Sequence, residues 1–393
     1  MIISMEPVAK LQFGPKSALA APDSDFLQIA YTHSYMFDLQ KTEPALRSSN
    51  LGRKASFATG SMECAGLIYD ESLHYLDHLA PFCSLAGIPL ILCEPQLANQ
   101  ARFYYPDLNI LQIPLWDLVP SLPKTIITCE PQSLIRAALH VPHQQTMWLP
   151  HGNSDKGWKS PFFEALQAEE FALVYGDQMI DTLRKKNPHV QPIRIGNFRW
   201  TYYQKHKSFY QTLCHTLTPF KKSIHFLYAP TWEDVENNCS FWDAFPTLAA
   251  HLPPSHNLLV KLHPNTQKQH EAKLEQMIGL YAHRENIAFL PDFPPIYPLL
   301  EYCQAYIGDM SSIGYDFLAF LRPMFFLNPQ KRDYNTDRSL YLHRCGQEMT
   351  PEQIASFCSS PLLNPSAPMQ EETYAYAFGT PCDIQKIFST INS

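Results

Sequence analysis

Residues 65–93 read AGLIYDESLHYLDHLAPFCSLAGIPLILC: a short apolar run, a longer amphipathic stretch and a second short apolar run. Short buried strands that alternate with helices are typical of a parallel, doubly wound sheet. Residues 94–176 continue the alternation with the apolar runs TIITC, TMWLP and FALVYG. The sequence therefore predicts an α/β domain with parallel strands.

The same alternation starts again in the second half of the chain. Its strand candidates are IHFLYA, NLLVKL, NIAFL, AYIG and PMFFL, and helices are predicted at residues 241–251, 267–281, 296–302 and 312–320. A chain of 393 residues exceeds the roughly 250 that one core usually organises. We therefore predict two parallel-sheet domains, residues 61–205 and 206–393, after an irregular lead-in or edge element at residues 1–60. Because such sheets bind ligands at the carboxyl ends of their strands, a site is expected in a cleft that both domains face.

Composition and missing motifs exclude several classes of protein. The formal net charge of -7 disfavours nucleic-acid binding, and ten cysteines without a Cys-x-x-Cys pair are expected to be reduced thiols. No GxGxxG loop, Walker-type phosphate loop or GxSxG elbow occurs, so dehydrogenase, kinase, ATPase and hydrolase functions lose their main support. His74 and His78 are one helical turn apart, but no third ligand is evident, and neither a metal nor a cofactor is expected.

A basic stripe, residues 184–222, bears on where the protein acts. No apolar run approaches the roughly 18 residues of a membrane-spanning helix, and the first residues lack the order of a secretory signal, so we expect a cytoplasmic protein. The stripe contains nine Lys or Arg residues, no Asp or Glu, and several aromatic residues. It predicts a peripheral contact with anionic lipid on the inner membrane face. The alternative is that the aromatic residues pack between the domains and the lysines are solvated.

The loop His151-Gly-Asn-Ser-Asp-Lys156 follows a predicted strand and precedes a helical stretch. Its polar side chains should therefore lie at the carboxyl edge of the first sheet. Imidazole is well suited to take up a proton near neutral pH, and glycine allows a close approach of substrate. His151 is thus a candidate general base, and the alternative is an ordinary polar loop.

Three further segments end strands of the second half. Asp309-Met-Ser-Ser312 precedes a helix, where it could hold phosphate or simply cap the helix, and Asp316 should share a helix face with Ser312. Lys261 and His263 should leave their strand on one side as a cation pair for phosphate, or form a solvated strand end. Thr231 could donate a hydroxyl, whereas the neighbouring tryptophan is more often packing than recognition.

These segments together resemble one family. HGNSDK (151–156), YAPTW (228–232), KLHP (261–264) and GDMSSIGYDFLAFLRPMFF (308–326) occur in the order of the motifs of CDP-glycerol glycerophosphotransferases, which build teichoic acid chains. The resemblance covers residues 145–330. The family usually reads His-Gly-Thr-Pro-x-Lys in the first motif, where this chain has Asn153 and Ser154, and Met310 replaces an aromatic residue of the last motif.

The resemblance implies a GT-B architecture with two Rossmann-like domains, a CDP-linked donor held by the second domain, a lipid-linked or saccharide acceptor, and no metal. It implies that His151 removes the acceptor's proton and that His263 also acts in catalysis. The donor-binding residues that it implies are Thr231, Lys261, Ser311, Ser312, Asp316 and Arg322. Gly152, Asn153 and Lys156 are assigned to the acceptor or to the loop.

Two other functions remain open on the sequence alone. One is a GT-B glycosyltransferase or sugar-nucleotide epimerase that uses a UDP- or CMP-sugar with the same phosphate-binding groups. The other is a non-catalytic nucleotide- or glycan-binding protein, which only Asn153 and Met310 favour, since the remaining polar groups of the motifs are retained.

Overall fold

Two parallel sheets organise the residues that the computed structural model describes, which are 62–159, 161–217, 225–233, 236–290, 293–359 and 363–391. The predicted lead-in at residues 1–60 lies outside these ranges. The strands of the first sheet are β1 (Cys64–Ile68), β2 (Leu90–Leu92), β3 (Ile110–Gln112), β4 (Thr125–Thr128), β5 (Gln145–Trp148), β6 (Phe171–Val174) and β7 (Gln191–Arg194). Those of the second are β8 (His225–Ala229), β9 (Asn257–Val260), β10 (Ile287–Phe289), β11 (Ala305–Gly308), β12 (Met324–Phe326) and β13 (Gln347–Glu348).

Helices connect the strands and complete the described chain. They are α1 (Leu73–Ala86), α2 (Pro95–Tyr104), α3 (Leu115–Leu118), α4 (Gln132–Leu139), α5 (Asp177–Lys186), α6 (Phe198–Lys205), α7 (Lys207–Leu217), α8 (Phe241–His251), α9 (Pro264–Tyr281), α10 (Ile296–Tyr302), α11 (Ile313–Phe317), α12 (Ile354–Ser359), α13 (Ala367–Phe378) and α14 (Ile384–Ile391). Helices α8 and α10 have the predicted bounds. Helix α9 begins three residues earlier than predicted because Pro264 occupies its first position, where a missing N–H costs nothing.

Both sheets have the doubly wound strand order. The first runs β3-β2-β1-β4-β5-β6-β7 and the second β10-β9-β8-β11-β12-β13, and every pair of neighbouring strands is parallel. Every residue of β8, β9 and β11 is buried, as expected for apolar strands covered on both faces. In such sheets the crevice lies where the strand order reverses, here beside β1 and β4 and beside β8 and β11.

The end of the chain returns to the first sheet. Helix α13 packs against α5, and α14 packs against α1, with the rings of Phe82 and Phe388 6.3 Å apart. Helix α13 also contacts residues 318–320 and 338–345, so it packs on both predicted domains, whereas α14 packs on the first.

The structure favours the packing interpretation of the basic stripe. Trp200 packs its ring against those of Tyr297 and Phe320, at centroid distances of 5.5 and 5.3 Å. Arg199 is buried, while Arg184 and Lys185 are exposed. The aromatic residues of the stripe that are buried are Phe198, Tyr202, Tyr203 and Tyr210. The described cations of the stripe that pair with carboxylates on other segments are Lys186, Arg194, Arg199, Lys205 and Lys207. Lys221 and Lys222 lie outside the described residues. Within those residues, no helix is both long and apolar enough to cross a bilayer.

Candidate active site

A cavity of about 680 Å³ is lined by residues of both halves of the chain. The loops that follow β5, β8, β9 and β11 contribute to its wall, together with the start of α1, so the carboxyl ends of both sheets face it. The predicted site residues that line it are His151, Gly152, Lys156, Thr231, Lys261, His263, Ser311, Ser312 and Asp316. Residues more than 150 positions apart in sequence are thereby brought into one site.

Gly152 brings the loop after β5 into contact with the loop after β11. Its φ of +125° is a conformation that residues with a side chain rarely adopt. A Cβ atom added at this position would lie 2.9 Å from the Cβ atom of Ser312. Glycine is therefore required here both by the backbone conformation and by the close approach of the two halves.

His151 is uncharged at neutral pH. Burial lowers the pKa of its imidazole to about 4, and the neighbouring Lys156 ammonium contributes to the shift. The ring lies 5.4 Å from the ring of Tyr75, measured between centroids. A neutral imidazole in a substrate-sized cavity is able to accept a proton, which is the property that a general base needs.

Lys156 links the two halves at the cavity wall. Its Nζ atom donates a hydrogen bond to the Oγ1 atom of Thr231, and it lies 5.6 Å from the ring centroid of Trp232. The backbone N–H of Thr231 in turn donates to the buried carboxylate of Asp309 at 2.7 Å. The ammonium of Lys156 is thus held beside the strand end to which the donor site was assigned.

His263 has a defined tautomer when it is neutral. The backbone N–H of Asn265 donates to its Nδ1 atom at 3.1 Å, and burial holds the pKa of His263 well below its usual range. The ring proton must then be on Nε2, which makes this nitrogen a donor for a phosphate oxygen. Lys261, two residues earlier, is buried and donates from Nζ to the carbonyl of Leu290 at 3.0 Å.

Two predicted site residues lie elsewhere. Asn153 is buried and donates from Nδ2 to the carbonyl of Ala377 at 2.9 Å, so it ties the loop after β5 to α13. Arg322 does not line the cavity, because its guanidinium donates to the carbonyls at the end of α10, including that of Glu301 at 2.8 Å. Arg322 was expected to bind the donor, but in the structure it caps the carboxyl end of α10.

Asp316 lines the cavity, but its carboxylate is paired. The Nη1 atom of Arg199 lies 3.0 and 2.9 Å from the two carboxylate oxygens, and the hydroxyl of Tyr297 donates at 3.0 Å. Arg199 also pairs with Asp77 of α1, and all three charged groups are buried. Sequence reasoning missed this triad, because Arg199 was read as one cation of the basic stripe.

Asp155 is a second residue that the sequence did not single out, although it lies inside the first motif. Its buried carboxylate accepts hydrogen bonds from Gln178, Tyr315, Arg338 and the backbone of Leu342. These donors come from α5, α11 and residues 338–345. Asp155 thus fixes the loop between His151 and Lys156 against both halves of the chain.

Four imidazoles lie close together at this site. The ring centroid of His151 is 5.7 Å from that of His74 and 6.5 Å from that of His78, and His74 is 6.0 Å from His263. The described residues nevertheless contain no group of three or more His, Cys, Asp or Glu side chains arranged to hold a metal ion.

Comparison with known proteins identifies a family for part of the chain. Residues 200–360 match the model of the family described as CDP-Glycerol:Poly(glycerophosphate) glycerophosphotransferase, which confirms the resemblance predicted from the motifs. The matched segment contains the site residues from Thr231 to Ser312, whereas the loop of His151 precedes it. No curated protein sequence matches the chain.

Solved structures with a similar fold extend over most of the chain. The wall teichoic acid polymerase TagF, in a variant soaked with CDPG, has a TM-score of 0.60 at 11% identity, over 84% of this chain and 89% of that chain. The S. aureus MnaA–UDP co-structure gives 0.56 at 11% identity, over 84% and 96%. UDP-GlcNAc 2-epimerase from Neisseria meningitidis, bound to UDP-GlcNAc, gives 0.53 at 12% identity, over 84% and 98%. The predicted GT-B fold is confirmed by these similarities.

Proposed function

We propose that this chain, whose residues 200–360 carry the glycerophosphotransferase match, transfers glycerol phosphate or a related polyol phosphate from a CDP-linked donor to an acceptor hydroxyl. The acceptor is lipid-linked or a saccharide, and CMP is the leaving group. The observation that carries the proposal is that one cavity joins the four sequence motifs although they come from two separate sheets.

In the proposed reaction the acceptor oxygen attacks the phosphorus of the polyol phosphate group. The P–O bond to CMP breaks, CMP leaves with the bridging oxygen and its electron pair, and the acceptor's proton passes to His151. The domain at residues 61–205 holds the acceptor and the domain at residues 206–393 holds the donor.

The protein's part in this reaction is mostly positioning and neutralisation of charge, as in other phosphoryl transfers. The Nε2–H group of His263 and the ammonium of Lys156 are cavity-lining donors for the pyrophosphate oxygens. The hydroxyl groups that line the same wall are those of Thr231, Ser311 and Ser312. Lys261 lines the same cavity and adds a positive charge that would stabilise the pyrophosphate.

The release of CMP tests the proposal. With CDP-glycerol as donor and glycerophosphoglycerol as acceptor, wild-type protein should release CMP, and the His151→Ala variant should lose at least about 100-fold in kcat, since general base catalysis contributes roughly 10²–10⁴-fold. His143→Ala removes an exposed imidazole and serves as the matched control. Near-full turnover by His151→Ala would show that the base is another group. If wild-type protein binds CDP-glycerol and releases no CMP, the non-catalytic binding protein is the correct function.

A sugar-nucleotide enzyme is the second candidate, because two structures of similar fold carry UDP or UDP-GlcNAc. Thermal shift separates the candidates. A nucleotide present at 100 times its Kd stabilises the folded state by about 2.7 kcal/mol. CDP-glycerol or CDP-ribitol should raise Tm, and UDP-GlcNAc and CMP-sugars should not. The reverse result would favour the glycosyltransferase or epimerase.

A reversible contact with the inner membrane face is the last part of the proposal. It depends on the exposed Arg184 and Lys185 at the end of α5 and on Lys221 and Lys222. Each basic residue near an anionic surface contributes about 1 kcal/mol. The protein should therefore co-sediment with phosphatidylglycerol vesicles at low salt and dissociate as salt is added. Absence of binding at low ionic strength would remove the membrane from the proposal.

A further inference from the structure

His74 is a cavity residue that none of the four motifs contains. It lies in the first turn of α1, in the half of the chain opposite the proposed donor site, and its imidazole lines the cavity. Its ring centroid is 5.7 Å from that of His151 and 6.0 Å from that of His263. His74 is therefore adjacent to both imidazoles to which the reaction has been assigned.

The hydrogen-bonding capacity of His74 is unused. Among the described residues it has ring contacts but no hydrogen-bond partner, and its buried Nδ1 atom is unpaired. His78, one turn later on α1, differs, because its Nδ1 atom is bonded to the hydroxyl of Tyr175 at 3.0 Å. Since buried polar atoms are normally paired, the unused imidazole indicates a group that is bound there during the reaction.

The charge of His74 suits a hydroxyl better than a phosphate. Burial, with the neighbouring His151 and Lys268, lowers the pKa of His74 to about 3, so the ring is neutral at physiological pH. A neutral imidazole has one N–H donor and one acceptor nitrogen, and a hydroxyl group offers the same pair. A phosphate oxygen can only accept, so it would leave the acceptor nitrogen of His74 without a partner.

We propose that His74 binds the acceptor through a hydrogen bond to a hydroxyl group of its reacting polyol or saccharide unit. This inference rests on the proposed function and names the acceptor side of the same site. The reacting unit then lies between the start of α1 and the loop of His151, with one hydroxyl at His74 and the nucleophilic hydroxyl at His151.

Acceptor kinetics of two variants test this assignment. The probes are CDP-glycerol as donor and glycerophosphoglycerol as acceptor. His74→Phe keeps a planar ring without hydrogen-bonding atoms and should raise the acceptor KM about tenfold, the size expected for one lost hydrogen bond. His74→Gln keeps a donor and an acceptor and should restore most of that loss. Both should leave kcat within about threefold and the thermal shift by CDP-glycerol unchanged. His143→Phe is the control for an exposed histidine.

The possible failures are distinguishable. An unchanged acceptor KM in His74→Phe, with transfer by the wild type intact, overturns the role of His74 and leaves the proposed function standing. A weaker thermal shift by CDP-glycerol in His74→Phe places the residue on the donor and also overturns the inference. If wild-type protein neither binds CDP-glycerol nor releases CMP, the proposed function fails, and the acceptor assignment fails with it.

Discussion

Replacing Asp155 by asparagine should destabilise the loop that carries His151 and Lys156. The Oδ1 atom of Asp155 accepts from Gln178 at 3.0 Å, from the hydroxyl of Tyr315 at 2.8 Å and from Nη1 of Arg338 at 3.0 Å, while Oδ2 accepts from the backbone N–H of Leu342 at 3.0 Å. In asparagine one of these oxygens becomes an NH₂ group. At least one buried donor must then face another donor, whichever way the amide is turned.

The expected loss of stability follows from these contacts. Asparagine also removes the negative charge next to the guanidinium of Arg338, whose side chain is 21% exposed, whereas that of Asp155 is 3% exposed. Breaking a buried ion pair costs roughly 3–5 kcal/mol, and the partial exposure of the arginine favours the lower end of that range. We therefore expect Asp155→Asn to lower the free energy of unfolding by about 3 kcal/mol.

Urea unfolding with a common m-value measures this loss, and Asp117→Asn is the matched control. Asp117 is exposed, so the same chemical change should stay within about 0.5 kcal/mol of wild type. The kcat of Asp155→Asn should also fall and its CDP-glycerol Kd should rise, because the loop positions both the base and Lys156. A stability loss below about 1 kcal/mol would refute the view that Asp155 holds the loop.

Three further predictions concern charge. His151 must be neutral to accept a proton, and its pKa is about 4, so kcat/KM should stay constant from pH 8 to about 5 and fall only below that. A fall in kcat/KM that begins near pH 6.5 would contradict the assignment of His151 as the base. Burial also lowers the pKa of His74 to about 3 and that of His343 to about 4. Below pH 6.5 these two histidines therefore bind more protons in the unfolded chain than in the folded one, and the urea midpoint should fall from pH 7 to pH 5. A midpoint that rises over this range would contradict the lowered pKa values. Arg199→Met leaves the buried carboxylates of Asp77 and Asp316 without their cation and should lower the free energy of unfolding in urea by about 3–5 kcal/mol. The control Arg184→Met, at an exposed position, should lower it by less than about 0.5 kcal/mol. Equal losses in the two variants would contradict the buried triad.

The sequence predicted the parts of the site that depend on local pattern. Apolar runs such as TMWLP and AYIG marked strands, and the polar residues that follow a strand of a parallel sheet must lie at its carboxyl edge. His151, Lys156 and Ser312 could therefore be assigned to one cleft. Short edge strands gave a weaker signal, since β3 and β7 are partly exposed. Strand β7 also contains Pro192, which is tolerated because, within the described part of the sheet, β7 has a neighbour on one side only.

The interactions that the sequence did not predict join residues far apart in the chain. Arg199 is 122 residues from Asp77 and 117 from Asp316, and nothing in its basic surroundings marks it as buried. Asp155 is 183 residues from Arg338. The partner of Asn153 is a backbone carbonyl of α13, which carries no side-chain signal. A useful clue would have been the lone acidic residue within a motif of neutral and basic side chains.

The position of α13 has a mechanical consequence for the cleft. Helix α13 contacts α5 of the first half and residues 318–320 and 338–345 of the second, and α14 then packs against α1. Because α13 is packed on both halves, a movement of one half away from the other would have to separate α13 from one of them. The contacts of α13 therefore add to the free energy needed to open the cleft between the two sheets.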